Sequence, residues 1–214
     1  MLSGMRQRML ATSILCAFAA GAVGCAANVD PATTGAIKAG PSVRIEVSDG
    51  LGSGVAIGNG NILTAAHVVT TQSDVKVVLD NGASMNGHVL WVNTEYDLAL
   101  VHVASGKIDP AYLDCRTPKV GEAVSADGNP MGLRFVRITG SVASAPYEYA
   151  PKWKSAYVIN MHTIGGMSGG ALFDAHGDVV GTVVGTLAKK GEDEGVFGFV
   201  VPSAAACRLL GRRV

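Results

Sequence analysis

Charge is scarce in this 214-residue chain. Asp, Glu, Lys and Arg make up 16% of it, and the formal net charge is zero. Aromatic residues make up only 6%, and no basic run or basic–aromatic alternation occurs. A nucleic-acid surface needs such a pattern, so no nucleic-acid partner is expected. Cysteine is also sparse: there are four, with no CxxC and no Cys/His cluster. Zinc and redox-cluster chemistry are therefore not expected, and neither a metal nor a cofactor is called for. Helical periodicity is missing from the middle of the chain. No helices alternate with strands there, which disfavours a doubly wound α/β sheet.

Only one long apolar run is present, and it lies at the start. Arg6 and Arg8 precede a run from Met9 to about Gly24, followed by Cys25. This is the charged and then apolar pattern of a secretory signal, and it is short for a membrane span of about 20 residues. Ala22-Val23-Gly24-Cys25 resembles a bacterial lipobox, in which Cys25 would become the lipidated first residue. Ordinary cleavage after Ala27 is the competing reading. Either way the protein is expected in the bacterial cell envelope or periplasm, and a lipid at Cys25 would be its membrane contact. Removing residues 1–24 takes two of the 17 basic residues and none of the 17 acidic ones, for a net charge of about −2. Cys16 leaves with the signal. Cys115 and Cys207 remain in a compartment that permits oxidation, where a pair and two buried free thiols are both open.

What is abundant is glycine (28 residues) and apolar side chains (48%), a composition for a compact, turn-rich globule. Residues 25–41 are small and polar and read as a flexible tether. From there short apolar runs alternate with turns. Strands are expected at residues 43–47, 52–57, 62–65, 75–79, 87–92 and 98–103. Asn59-Gly60 is a hairpin signal between two of them. Residues 114–121 read as a connection, with Pro118 inside it. A second group follows near residues 122–127, 134–144, 155–160, 170–173, 179–186 and 195–201. Residues 203–214 close the chain, with Ser203 as cap of a helix over 204–210 and Gly211 as its stop. The domain reading is a first barrel over 42–113 and a second over 122–202. Residues 146–154 and 189–194 read as solvated loops.

The chemistry gathers around Gly165-Gly166-Met167-Ser168-Gly169-Gly170. Glycines permit a turn that exposes a serine and converges its neighbours' N–H groups, the arrangement that stabilises an oxyanion. Serine needs a base to become a nucleophile. His67 lies in Leu63-Thr64-Ala65-Ala66-His67, among small residues at the end of an expected strand. Asp97 stands before the apolar strand Leu98-Ala99-Leu100 and would be partly buried there. A buried carboxylate needs a partner, and an imidazole is a natural one. His88, His102 and His176 read as structural.

Three motifs then align: Thr64-Ala65-Ala66-His67, Tyr96-Asp97-Leu98-Ala99-Leu100 and Gly166-Met167-Ser168-Gly169-Gly170. In this order and spacing the chain resembles the trypsin-like serine peptidases. It is most similar to the bacterial branch that includes the HtrA-type proteases. Gly52-Ser53-Gly54-Val55, Gly128-Asn129-Pro130-Met131-Gly132 and Gly198-Phe199-Val200-Val201-Pro202 are similar to segments of that branch. The resemblance implies an all-β fold of two six-stranded antiparallel barrels with the active site between them and a short C-terminal helix. It implies Ser168 as nucleophile, His67 as general base and acid, Asp97 as the orienting carboxylate, and the N–H groups of Gly166 and Ser168 as oxyanion hole. The substrate would be a polypeptide, cut through an acyl-enzyme. His162, Thr163 and Ile164, with Val184 and Gly185 opposite and Gly198 at the back, would line the primary pocket. His162, not an aspartate, stands where trypsin-like enzymes carry the pocket-base residue, so a preference for Lys or Arg is not expected; a small or medium apolar side chain is expected before the scissile bond. Some family members bridge the regions of Cys115 and Cys207, which implies a disulfide there.

Other readings make different demands. Gly166-x-Ser168-x-Gly170 also fits the α/β-hydrolase elbow, but that fold needs its acid and histidine after the serine, and only His176 follows. A non-catalytic envelope lipoprotein on the same scaffold is the alternative from another class. Met167 stands where many digestive relatives carry an aspartate that pairs with a newly cut N-terminus. The oxyanion loop is therefore expected to order without processing. No segment for a PDZ domain follows the helix, so a monomer is expected.

Overall fold

The computed structural model describes residues 38–104, 106–187 and 197–214. The signal segment, Cys25, most of the tether and the loop at 189–194 lie outside the described residues. The described residues belong to one unit, Ile37–Val214.

The first barrel closes on itself. Its strands are β1 (Ser42–Val47), β2 (Gly50–Gly58), β3 (Asn61–Ala65), β4 (Asp74–Leu79), β5 (Ser84–Asn93) and β6 (Leu98–Val103). They are hydrogen-bonded in the order β1-β2-β3-β6-β5-β4, with β4 returning to β1. The period-2 pattern decides which way each strand faces. On β1, Val43 and Ile45 are buried, while Arg44 and Lys76 pair with Glu46 outside at 2.8 and 3.0 Å. Asn59 and Gly60 both take positive φ (54° and 73°), as a two-residue hairpin of matching twist requires.

The second sheet comprises β7 (Ala123–Gly128), β8 (Val136–Ser141), β9 (Tyr147–Tyr149), β10 (Trp153–Ile159), β11 (Ala171–Phe173), β12 (Val179–Leu187) and β13 (Phe197–Pro202). Its order is β8-β7-β11-β12-β13-β10-β9. Past β8 the chain lies along β10. Val142 bridges Ile159, Asn160 N–H donates to Ser141 O (3.1 Å) and Ala143 N–H to Val158 O (2.7 Å). These bonds bring the two ends of a six-stranded barrel together, and β9 is added to β10 as a seventh strand. β9 falls in the segment read from sequence as a solvated loop. Tyr-Glu-Tyr is too short an alternation to stand out, and pairing with β10 supplies the partner that makes it a strand.

Two further differences have local causes. The chain docks before residue 42: Ala39 is buried, bridges Ile108, and its neighbour Gly40 donates to Asp80 Oδ2 at 3.0 Å. The C-terminal helix α2 spans Ser203–Leu209, following the one-turn helix α1 (Ala66–Val69) in chain order. Ser203 is not its cap. Its hydroxyl donates instead to Val179 O on β12 (2.9 Å), which ties the helix to the barrel. Gly211 stops the helix in a left-handed conformation (φ 67°).

Cys115 and Cys207 are bonded, with Cα atoms 5.6 Å apart, so the inter-barrel connection is stapled to α2. Beside the bridge, Arg116 donates to Asp114, Glu122 and Asp174 at 2.6 to 2.9 Å. The Glu122 bonds, foremost, hold the guanidinium pKa above its ordinary range. Burial pushes the Asp174 pKa up, but hydrogen bonds from Arg116 and the N–H groups of Asp178 and His176 outweigh it and leave the carboxyl below its usual value.

Candidate active site

His67 comes from the first barrel. Small residues at the end of β3 (Thr64, Ala65) and the start of α1 (Ala66) leave room for the chain to turn, and His67 is the second residue of that helical turn rather than the end of the strand. Asp97 ends the turn before β6 in a left-handed conformation (φ 55°) that aspartate tolerates better than most residues. Its carbonyl accepts from Ala66 N–H (3.1 Å). Its carboxylate grips the histidine twice: Oδ1 accepts from His67 N–H (2.9 Å) and Oδ2 bonds Nδ1 (2.7 Å). The Asp97 side chain is 13% exposed and that of His67 49%. The acid is therefore sheltered and the ring open. With Nδ1 donating to a carboxylate, Nε2 is left as an acceptor.

A third donor reaches this carboxylate from the opposite barrel. Trp153 on β10 directs its indole N–H to Asp97 Oδ2 at 3.3 Å. Its ring packs on Phe199 (centroids 4.9 Å apart) and fills the space beside Gly185, where a Cβ would meet the ring at 2.7 Å. Sequence reasoning missed Trp153, since it lies in the segment taken for a loop. The available signal was a tryptophan directly before the alternating run of β10.

Ser168 comes from the second barrel, in the turn leading to β11. It shares a cleft of about 320 Å³ with His67, Gly165, Gly166, Gly50 and Leu51. Gly166 (φ 95°) and Gly169 (φ 84°) both need left-handed backbone, and neither has room for a side chain. A Cβ on Gly166 would lie 2.3 Å from Asn129 O, and one on Gly169 2.1 Å from Ser53 O. Met167 points the other way. It is 1% exposed and packed among Val124, Ala126 and Leu172. Among the described residues, nothing accepts from the N–H of Gly166 or of Ser168.

A second cleft, of about 640 Å³, opens on the other side of His67. Trp153, Lys152, Val184, Gly185 and Thr186 line it. The expected pocket residues are only partly gathered here. Val184 and Gly185 reach this cleft. Thr163 is buried between two glycines, with its hydroxyl on Gly185 O (3.2 Å) and its methyl against Gly198. Ile164 is half-buried against the second barrel's core, and His162 is exposed.

Similarity to known proteins follows the same lines. A family model described as "Trypsin-like peptidase domain" matches residues 52–181. A probable periplasmic serine endoprotease, DegP-like, of Brucella suis biovar 1 is 29% identical over 168 residues, 76% of this chain and 33% of its own length. The periplasmic serine endoprotease DegP of Salmonella typhimurium is 31% identical over 174 residues, 77% of this chain and 36% of its own. Among solved structures, the HtrA-type protease AlgW with a tripeptide superposes with a TM-score of 0.75 at 22% identity, covering 81% of this chain and 60% of that one. This chain thus spans about a third of the length of the curated relatives it matches.

Proposed function

The chain belongs to the trypsin-like peptidase domain family, and from that premise we propose that it is a serine endopeptidase acting on polypeptides through His67, Asp97 and Ser168. The observation that carries this reading is the doubly bonded His67–Asp97 pair, which opens onto the cleft shared with Ser168. Ser168 Oγ attacks the scissile carbonyl carbon while its proton passes to His67 Nε2. Asp97 holds the ring in the tautomer that can accept that proton and stabilises the imidazolium that results. The N–H groups of Gly166 and Ser168 receive the oxyanion. His67 then gives the proton to the leaving amine. Water, deprotonated by the same histidine, releases the acyl group and restores Ser168.

Met167 supports a loop that needs no N-terminal processing, because packing in the core anchors it where an ion pair would otherwise be needed. The buried Thr163 between Gly185 and Gly198 supports a small or medium apolar side chain before the scissile bond. The periplasmic relatives and the signal segment support export. Lipidation at Cys25 is part of the same reading, supported by Ala22-Val23-Gly24-Cys25.

The test is covalent. A fluorophosphonate probe is expected to label the wild-type protein at Ser168 and to leave Ser168→Ala unlabelled, with casein cleaved by the former only. A folded wild type that neither takes the probe nor cleaves casein would point to a binding scaffold instead.

A further inference from the structure

Five consecutive carbonyls around the nucleophile each accept a hydrogen bond. Ile164 O takes Met167 N–H (3.1 Å) and Gly165 O takes Met131 N–H (2.8 Å). Gly166 O takes the Ser53 hydroxyl (2.8 Å). Met167 O takes Gly170 N–H (3.0 Å), and Ser168 O takes Ser53 N–H (2.8 Å). In a trans peptide the N–H points away from the C=O of the same plane. Holding the carbonyls of Gly165 and Met167 therefore directs the N–H groups of Gly166 and Ser168 to the opposite side.

Two of the five bonds come from one residue, and that residue belongs to the other barrel. Ser53 is on β2, 1% exposed. The direction of its hydroxyl is determined by its neighbours. Asn129 N–H and Asn129 Nδ2 donate to Ser53 Oγ at 2.9 and 3.0 Å and occupy both lone pairs. The Asn129 amide is oriented in turn, because its Oδ1 accepts from Phe135 N–H (3.2 Å). The one hydrogen of Ser53 Oγ is left for Gly166 O. Thr64 Oγ1 donates to Ser53 O (2.7 Å), so the strand that leads to His67 also holds the serine in place.

Gly166 is where this matters most. Glycine turns freely about φ and ψ, so its own backbone does not hold the N–H in place. Both flanking peptide planes must be pinned, and Met131 pins one while Ser53 pins the other. We propose that Ser53 is a positioning residue for the peptidase reaction: its hydroxyl, oriented by Asn129, locks the Gly166–Met167 peptide so that the oxyanion donors stay aimed into the cleft. This rests on the reading of the Gly166 and Ser168 N–H groups as those donors.

The experiment compares wild type, Ser53→Ala and Ser53→Cys. It measures kcat and KM on a p-nitrophenyl ester, the second-order rate of fluorophosphonate labelling, and the thermal midpoint. Losing a whole oxyanion donor costs about 10²–10³ in kcat, so loosening one is expected to cost about tenfold to a hundredfold. Ser53→Ala should show that loss in kcat, with KM within about twofold of wild type and phosphonylation slowed in proportion. Ser53→Cys, which keeps a weaker donor, should fall between, and it carries the test if Ser53→Ala does not fold. A folded Ser53→Ala with wild-type kcat, or a loss confined to KM, overturns the role of Ser53 while leaving the endopeptidase reading intact. A wild type inert to the probe overturns both.

Discussion

Replacing Trp153 by phenylalanine removes one N–H from the Asp97 carboxylate and keeps an aromatic ring against Phe199. Oδ2 would retain the His67 bond at 2.7 Å and lose the indole bond at 3.3 Å. A hydrogen bond to a charged group contributes about 1.5–3 kcal/mol. At 3.3 Å this one is longer than the usual N–H···O distance of about 2.9–3.0 Å, which places it at the low end. About 1.5 kcal/mol of lost positioning corresponds to about a tenfold fall in kcat/KM. The smaller ring also leaves a gap beside Gly185 and Phe199, with about 1–2 kcal/mol lost from stability by the same logic as other large-to-small core changes. The assay is ester hydrolysis, which bypasses the wider cleft that Trp153 also lines, run beside urea unfolding. Activity within twofold of wild type would mean that the indole does not orient the carboxylate. A loss beyond about a thousandfold is too large for one long hydrogen bond. It would mean that Trp153 sets how the two barrels dock.

Two further outcomes concern stability. Replacing Cys115 and Cys207 together by alanine opens a loop of 92 residues, which the chain-entropy model values at about 4–5 kcal/mol. The urea midpoint should fall accordingly while activity in the absence of urea is kept, because the effect lies in the unfolded chain; a midpoint shift worth under about 1 kcal/mol would refute it. Arg116 gives a pH signature. Its hydrogen bonds hold the Glu122 pKa below the usual range, and they help depress that of Asp174 against the pull of burial. Depressed carboxylates add stability above their unfolded values near pH 4, and that stability is lost as pH falls through the lower folded values. Arg116→Leu should therefore be less stable than wild type at pH 7. The difference is expected at about 1–3 kcal/mol, discounted because the Arg116 side chain is 36% exposed. The gap should narrow below about pH 4 in thermal melts, and a gap that widened in acid would refute the assignment.

Much of the fold was legible because its signals are local. Alternation over four to six residues gave the barrel strands their inward faces, and Asn59-Gly60 named its own turn through the positive φ it requires. β9 and α1 were not legible. Three residues of alternation and one helical turn fall below what periodicity resolves, and both depend on neighbours to form. Ser203 carried a capping signal, yet a buried carbonyl on β12 competed for its hydroxyl and won.

The sequence by itself determined the chemistry offered: a histidine, an acid and a serine, in an order that excludes the α/β-hydrolase elbow, on a chain patterned for strands. Tertiary structure alone decided what surrounds them. Trp153 meets Asp97 across 56 residues, and Ser53 meets Gly166 across 113. Contacts of that span leave no period in the chain. They exist because the two barrels pack with β2 against the Ser168 turn and β10 against Asp97. The glycine-rich turn around Ser168 came with backbone freedom, and bonds within its own barrel together with Ser53 of the opposite one removed it.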